Sequence, residues 1–123
     1  MGKRLLVSVV DDDESVRESL PDLIREFGFA VQPFKSGEDF LASECVEDTK
    51  CLILDIAMPG MSGFDVQREL KHRNQQIPIV FITAHKDETA RPSVLEEGAV
   101  ACLLKPFSDT ALLQAMHTAL GTN

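Results

Sequence analysis

Leu5-Leu6-Val7-Ser8-Val9-Val10-Asp11-Asp12-Asp13 is the stretch that decides the fold. It is apolar almost without a break, then acidic without a break. A strand with one wet face would alternate apolar and polar residues. A near-continuous apolar run instead marks a strand covered on both faces, as in parallel sheets. The same grammar recurs along the chain. Residues 51–55 form an apolar run that ends on Asp55. Residues 77–82 form another, followed by Thr83, and residues 99–104 a further one, followed by Lys105. Residues 29–34 read as an edge strand, because Pro33 cannot donate a ladder hydrogen bond.

Amphipathic stretches separate these runs. In residues 15–27, Val16, Leu20, Leu23, Ile24 and Phe27 fall at helical spacing. Gly28 suits the helix end. Pro21 conflicts with a helix interior, and the sequence leaves open a kink or a late start. Ser36-Gly37-Glu38-Asp39 resembles a capped helix start. Residues 58–63 form a loop rich in turn residues, after which Ser62 can cap a helix carrying Phe64, Val66 and Leu70. A fourth helix is expected between Lys86 and Gly98. Pro92 interrupts it, so its regular part should begin near Arg91, or be short or distorted. Ser108 caps a last helix with Leu112, Leu113, Met116, Ala119 and Leu120 on one stripe.

Five strands alternating with five helices predict a doubly wound α/β domain, a mostly parallel sheet with helices on both faces. The 123 residues suit one domain, 1–123, large enough to bury a core without disulfides or a structural metal. The net charge of −8 and the lack of a Lys/Arg cluster argue against direct nucleic-acid binding. Cys45, Cys51 and Cys102 contain no CxxC pair, so they read as reduced thiols in a cytoplasmic protein. No apolar run reaches membrane-spanning length, and none resembles a signal peptide.

In such a sheet, ligands bind beyond the C-terminal ends of the strands. Those ends carry Asp11 and Asp12, Asp55, Thr83 and Lys105. Singly, each has a plainer explanation: a helix cap, a strand end, a turn residue, a surface lysine. Together they specify a site. Clustered carboxylates repel unless a cation neutralises them, and Mg²⁺ suits a few carboxylates with room for water and a phosphate oxygen. Asp55 can then act as a nucleophile toward phosphorus. Lys105 and Thr83 can hold the phosphoryl oxygens.

Val10-Asp11-Asp12-Asp13-Glu14, Leu54-Asp55-Ile56-Ala57-Met58-Pro59-Gly60, Ile82-Thr83-Ala84 and Leu104-Lys105-Pro106-Phe107 resemble, in order and spacing, the four signature segments of response-regulator receivers of two-component signalling. The likeness covers essentially the whole chain and is greatest to receivers of nitrogen-fixation-type transcription regulators. It implies the CheY-like, flavodoxin-like (βα)5 fold with strand order 2-1-3-4-5. It implies Asp55 as phosphoacceptor, with Asp11, Asp12, Asp55 and the backbone carbonyl of Ala57 holding Mg²⁺. Thr83 and Lys105 would hold the phosphoryl group, and the Lys105–Pro106 bond is often cis. Asp13 should stand outside the metal's ligands. Ala57 and His85 occupy positions that often tune phosphate lifetime, although His85 also reads simply as an exposed loop residue.

The implied partners are a histidine kinase or histidine phosphotransfer protein, and an effector domain or downstream protein. The effector side would engage the face made by the fourth helix, the fifth strand and the last helix. The domain would be a monomer or a phosphorylation-linked dimer, with no membrane and no direct nucleic-acid contact. It would catalyse only its own phosphorylation and dephosphorylation. Whether it stands alone or belongs to a longer regulator stays open.

One position departs from the family pattern. Receivers usually carry Tyr or Phe three residues before the lysine, and here Cys102 stands there. A thiol cannot fill an aromatic-sized space, so altered coupling to the output face is expected. A pseudo-receiver that binds partners without phosphorylation is therefore the alternative. A phosphatase of the haloacid dehalogenase type would need a second acid where Ala57 stands. A redox role for Cys102 lacks a neighbouring cation or helix start to lower the thiol pKa.

Overall fold

The computed structural model describes residues 4–84 and 98–121. The expected fourth helix with Pro92, and His85, lie outside the described residues. The elements run β1 (Leu6–Val10), α1 (Glu14–Glu26), β2 (Ala30–Phe34), α2 (Gly37–Ala42), β3 (Thr49–Asp55), α3 (Gly63–His72), β4 (Ile79–Thr83), β5 (Ala101–Leu104) and α4 (Asp109–Leu120). The five strands form one sheet in the order β2-β1-β3-β4-β5, and every neighbouring pair is parallel. Pro33 does lie on an edge strand.

The near-continuous apolar runs are explained by two cores, one on each face of the sheet. On one face Val10, Leu52, Leu54 and Phe81 pack with Phe40 of α2 and Val66 and Leu70 of α3. On the other Val7, Val9, Ile53, Val80 and Ile82 pack with Ile24 of α1 and Leu112 and Met116 of α4. Alternate residues of one strand therefore serve opposite cores, and neither set can be polar without cost.

Side-chain caps set the helix starts. Asp13 accepts the Ser15 amide at 2.9 Å and begins α1. The helix thus starts one residue before the expected Ser15, and Pro21 is buried in its interior. This excludes the late start. Phe27, expected as the last helical residue, is the C-cap. Ser36 caps α2, and Ser108 caps α4. Ser62 and Asp65 form a reciprocal capping box on α3.

The last three strands differ from expectation at their starts. β3 begins at Thr49, whose hydroxyl makes a buried 2.7 Å hydrogen bond with Ser8 on β1 and donates to the Cys45 carbonyl. β4 begins at Ile79, just after Pro78, and β5 at Ala101. All of these shifts lie at the sheet edge remote from Asp55. Among the described residues no helix is long and apolar enough to cross a membrane.

Candidate acidic phosphoryl-transfer site

Parallel register brings the strand ends together. Val10, the last residue of β1, pairs with Leu54, so Asp11 leaves the sheet beside Asp55. Asp55 pairs with Ile82, and Thr83 with Leu104, so Thr83 and Lys105 arrive at the same edge. One carboxylate oxygen each from Asp11, Asp12 and Asp55 lie within 4.8 Å of one another.

The three carboxylates sit in different surroundings. Asp11 is fully buried, Asp55 is 5% exposed, and Asp12 is exposed. Asp11 has a dense set of partners. Its Oδ1 accepts the Asp13 amide at 2.9 Å, its Oδ2 accepts Lys105 Nζ at 2.9 Å, and its main-chain carbonyl accepts Arg17 Nη1 at 3.1 Å. Lys105 Nζ stands 3.8 Å from Asp55 Oδ2. The lysine thus makes a true hydrogen bond to Asp11 and only a longer ion pair to Asp55.

The electrostatics follow from that arrangement. Burial, and then the neighbouring Asp11, push the Asp55 carboxyl from 3.8 up to about 7, against the opposing pull of Lys105. Burial disfavours the Lys105 charge, but the Asp11 hydrogen bond and the field of Asp55 outweigh it, and its pKa is raised. One lysine therefore leaves this cluster short of positive charge. The donor set is all oxygen, compact and anionic, and fits a hard divalent cation.

The remaining expected residues are placed less directly. Thr83 is 1% exposed at the end of β4, and its hydroxyl donates to the Ala84 carbonyl at 3.2 Å. Ala57 is exposed, two residues beyond Asp55 in the loop to α3. Asp13 serves as the α1 cap, an assignment in keeping with a place outside the metal's ligands. The Lys105–Pro106 peptide is cis. Cys102 is 2% exposed and packs in the core shared with Phe81. Two residues near the cluster escaped the sequence reading. Arg17 braces the Asp11 carbonyl, for which a basic residue six positions after the acid gives no specific signal. Gly63 packs against Asp55 itself.

A family model for the response regulator receiver domain matches residues 7–117. The chain belongs to the response-regulator receiver family. Nodulation protein W of Bradyrhizobium diazoefficiens is 44% identical over 116 residues, which cover 94% of this chain and 51% of that protein. Response regulator protein TodT of Pseudomonas putida is 43% identical over 115 residues, covering 94% of this chain and 51% of that protein. The receiver chain thus spans about half the length of the curated relatives it matches. The crystal structure of FixJ-N superposes with a TM-score of 0.87 at 36% identity, covering 98% of this chain and 96% of that one. Both the two-component receiver identity and the strand order expected from the sequence therefore hold, and the expected likeness to a nitrogen-fixation-type regulator is present, at lower identity than that to nodulation protein W or TodT.

Proposed function

We propose that residues 1–123 form one receiver domain that takes a phosphoryl group onto Asp55 in a Mg²⁺-dependent reaction and thereby switches its affinity for a partner. The observation that carries this reading is the buried Asp11–Asp55–Lys105 cluster at the end of the parallel sheet. Its carboxylates converge within 4.8 Å, and one lysine reaches both buried acids.

Asp11, Asp12, Asp55 and the Ala57 carbonyl would hold the Mg²⁺. When bound, the ion neutralises the carboxylates and draws charge from the phosphoryl oxygens. Asp55 is the nucleophile. One of its oxygens forms the new O–P bond while the bond from phosphorus to the donor's histidine nitrogen, or to the acyl oxygen of a small donor, breaks. Its raised pKa fits a site poised for a cation, because neutralisation returns the carboxylate to the ionised form that attacks. Lys105 compensates the charge of the transferred group, and Thr83 donates its hydroxyl to one oxygen of it. Arg17 and the Asp13 amide keep Asp11 in place. The donor would be a histidine kinase or histidine phosphotransfer protein. An effector domain or downstream protein would read the state through the face containing β5 and α4. The domain acts on its own side chain and has no separate substrate to turn over.

Incubation with acetyl phosphate, read by intact mass, tests this. Wild type should gain one phosphoryl group with Mg²⁺ and none with EDTA, and Asp55→Asn should gain none. A pseudo-receiver would gain none in any arm, and would show no binding in a beryllofluoride titration, which a short phosphate lifetime cannot mask.

A further inference from the structure

Gly63 is the first residue of α3, and its backbone has no positive φ that would demand glycine. The demand comes from space. A Cβ on Gly63 would lie 2.5 Å from the carbonyl oxygen of Asp55, 2.9 Å from Cα of Ile56 and 3.0 Å from Cε1 of Phe81. Two of those three neighbours are main chain, so no side-chain rotation relieves the contact. At this close approach the Gly63 amide donates to the Ile56 carbonyl at 2.8 Å. The amide of Ile56 in turn donates to the Ile82 carbonyl on β4. The loop from Ala57 to Ser62 is therefore a closed loop whose two ends are stapled together beside Asp55.

From this geometry we infer that Gly63 is a positioning residue for the phosphoacceptor site. Lacking a Cβ, it lets α3 seat against the Asp55 main chain, which fixes the carboxylate and the loop bearing Ala57 as one unit. The inference rests on the proposed Asp55 and Mg²⁺ chemistry. A second close glycine sharpens it. Gly37, at the start of α2, would place a Cβ against Cγ2 of Val66, with Met61 nearby. There the obstacles are side chains and none is part of Asp55 or its strand, and trimming Val66 makes room. Two glycines thus admit the same helix α3, but only one of them touches the site.

The test compares wild type, Gly63→Ala, Gly37→Ala and Gly37→Ala with Val66→Ala. Each is titrated with Mg²⁺ and phosphorylated by acetyl phosphate under conditions where circular dichroism shows it folded. Gly63→Ala should weaken Mg²⁺ binding about tenfold and slow phosphorylation by roughly 10²-fold, the scale of a misplacement near 1 Å. The Gly37 variants should lose thermal stability yet keep both quantities within about twofold. Wild-type Mg²⁺ affinity and phosphorylation rate in folded Gly63→Ala would overturn the inference alone. Failure of wild type to bind Mg²⁺ and accept phosphate would overturn the functional reading and this inference with it. If Gly63→Ala does not fold, amide exchange in wild type decides. Mg²⁺ should slow exchange at the Gly63 amide more than at Val66 in the same helix, and equal slowing at both would overturn the inference.

Discussion

Asp55→Asn should make the metal-free protein more stable at pH 8, although it removes the residue on which the activity is proposed to depend. The Asp55 carboxyl is raised from 3.8 to about 7 by burial and by Asp11. A folded-state pKa above the unfolded value means that the folded protein holds its proton more tightly. Stability from this group is therefore full below about pH 4, falls as pH rises, and levels off above about pH 7. A rise of about three pH units, at about 1.4 kcal/mol each, sets a ceiling of roughly 4 kcal/mol. The Asp55 side chain is only 7% exposed, so water screens little of it. Asparagine keeps the shape and drops the charge, so its gain should be about 2–4 kcal/mol at pH 8 and only about 1 kcal/mol at pH 4.5. The protein has no Trp and no Tyr, so urea unfolding is best followed by far-ultraviolet circular dichroism, in EDTA, at pH 4.5, 6 and 8. The difference between the two proteins reports Asp55 together with the neighbours its charge acts on, Asp11 and Lys105. Excess Mg²⁺ should then restore wild type, by about 2.7 kcal/mol at a hundredfold excess over its Kd. A variant no more stable than wild type at pH 8, or a gain that is the same at pH 4.5, would refute the reasoning.

Lys105→Met should slow phosphorylation by acetyl phosphate about 10²-fold, and should lower metal-free stability at pH 8 by about 2 kcal/mol or more, because the buried Asp11 carboxylate loses the cation bonded to its Oδ2 and keeps the Asp13 amide alone on its Oδ1. Thermal melts and intact-mass time courses check the two arms. Thr49→Val should cost about 1–3 kcal/mol, because it leaves the buried Ser8 hydroxyl without its partner and takes one of three donors from the Cys45 carbonyl. Ser8→Ala should cost less, since Thr49 keeps its bond to Cys45; paired urea titrations give the order. Cys102→Phe should overpack the core beside Phe81 and destabilise by about 1–3 kcal/mol, read in the same titrations. A neutral or stabilising result would show that an aromatic ring fits there after all.

Much of the fold is legible in residues 5–13 alone, because a strand that feeds two cores cannot alternate. The serine caps at 36, 62 and 108 were readable for the same local reason: the cap is a side chain adjacent in sequence to what it caps. Asp13 was harder. In a run of three acids, nothing local says which one caps the helix and which two face the site, and that ambiguity left Pro21 unresolved. The early start of β3 depends on Thr49 meeting Ser8, 41 residues away. In the site, Asp11, Asp12, Asp55, Thr83 and Lys105 followed from the strand-end rule and the receiver segments. The bond from Lys105 to Asp11 rather than to Asp55 did not, because it is set by a difference of about 1 Å across 94 residues. Gly63 read only as a turn residue, since its closeness to the Asp55 carbonyl exists only after α3 packs.

The central claim is that Asp55 itself becomes the acyl phosphate, and borohydride trapping tests it most directly. Reduction of an aspartyl phosphate leaves homoserine, which peptide mass spectrometry locates. After acetyl phosphate and Mg²⁺, homoserine is predicted at position 55 and nowhere else, with none when EDTA replaces the metal. Homoserine at Asp11 or Asp12, or metal-independent labelling, would contradict the account.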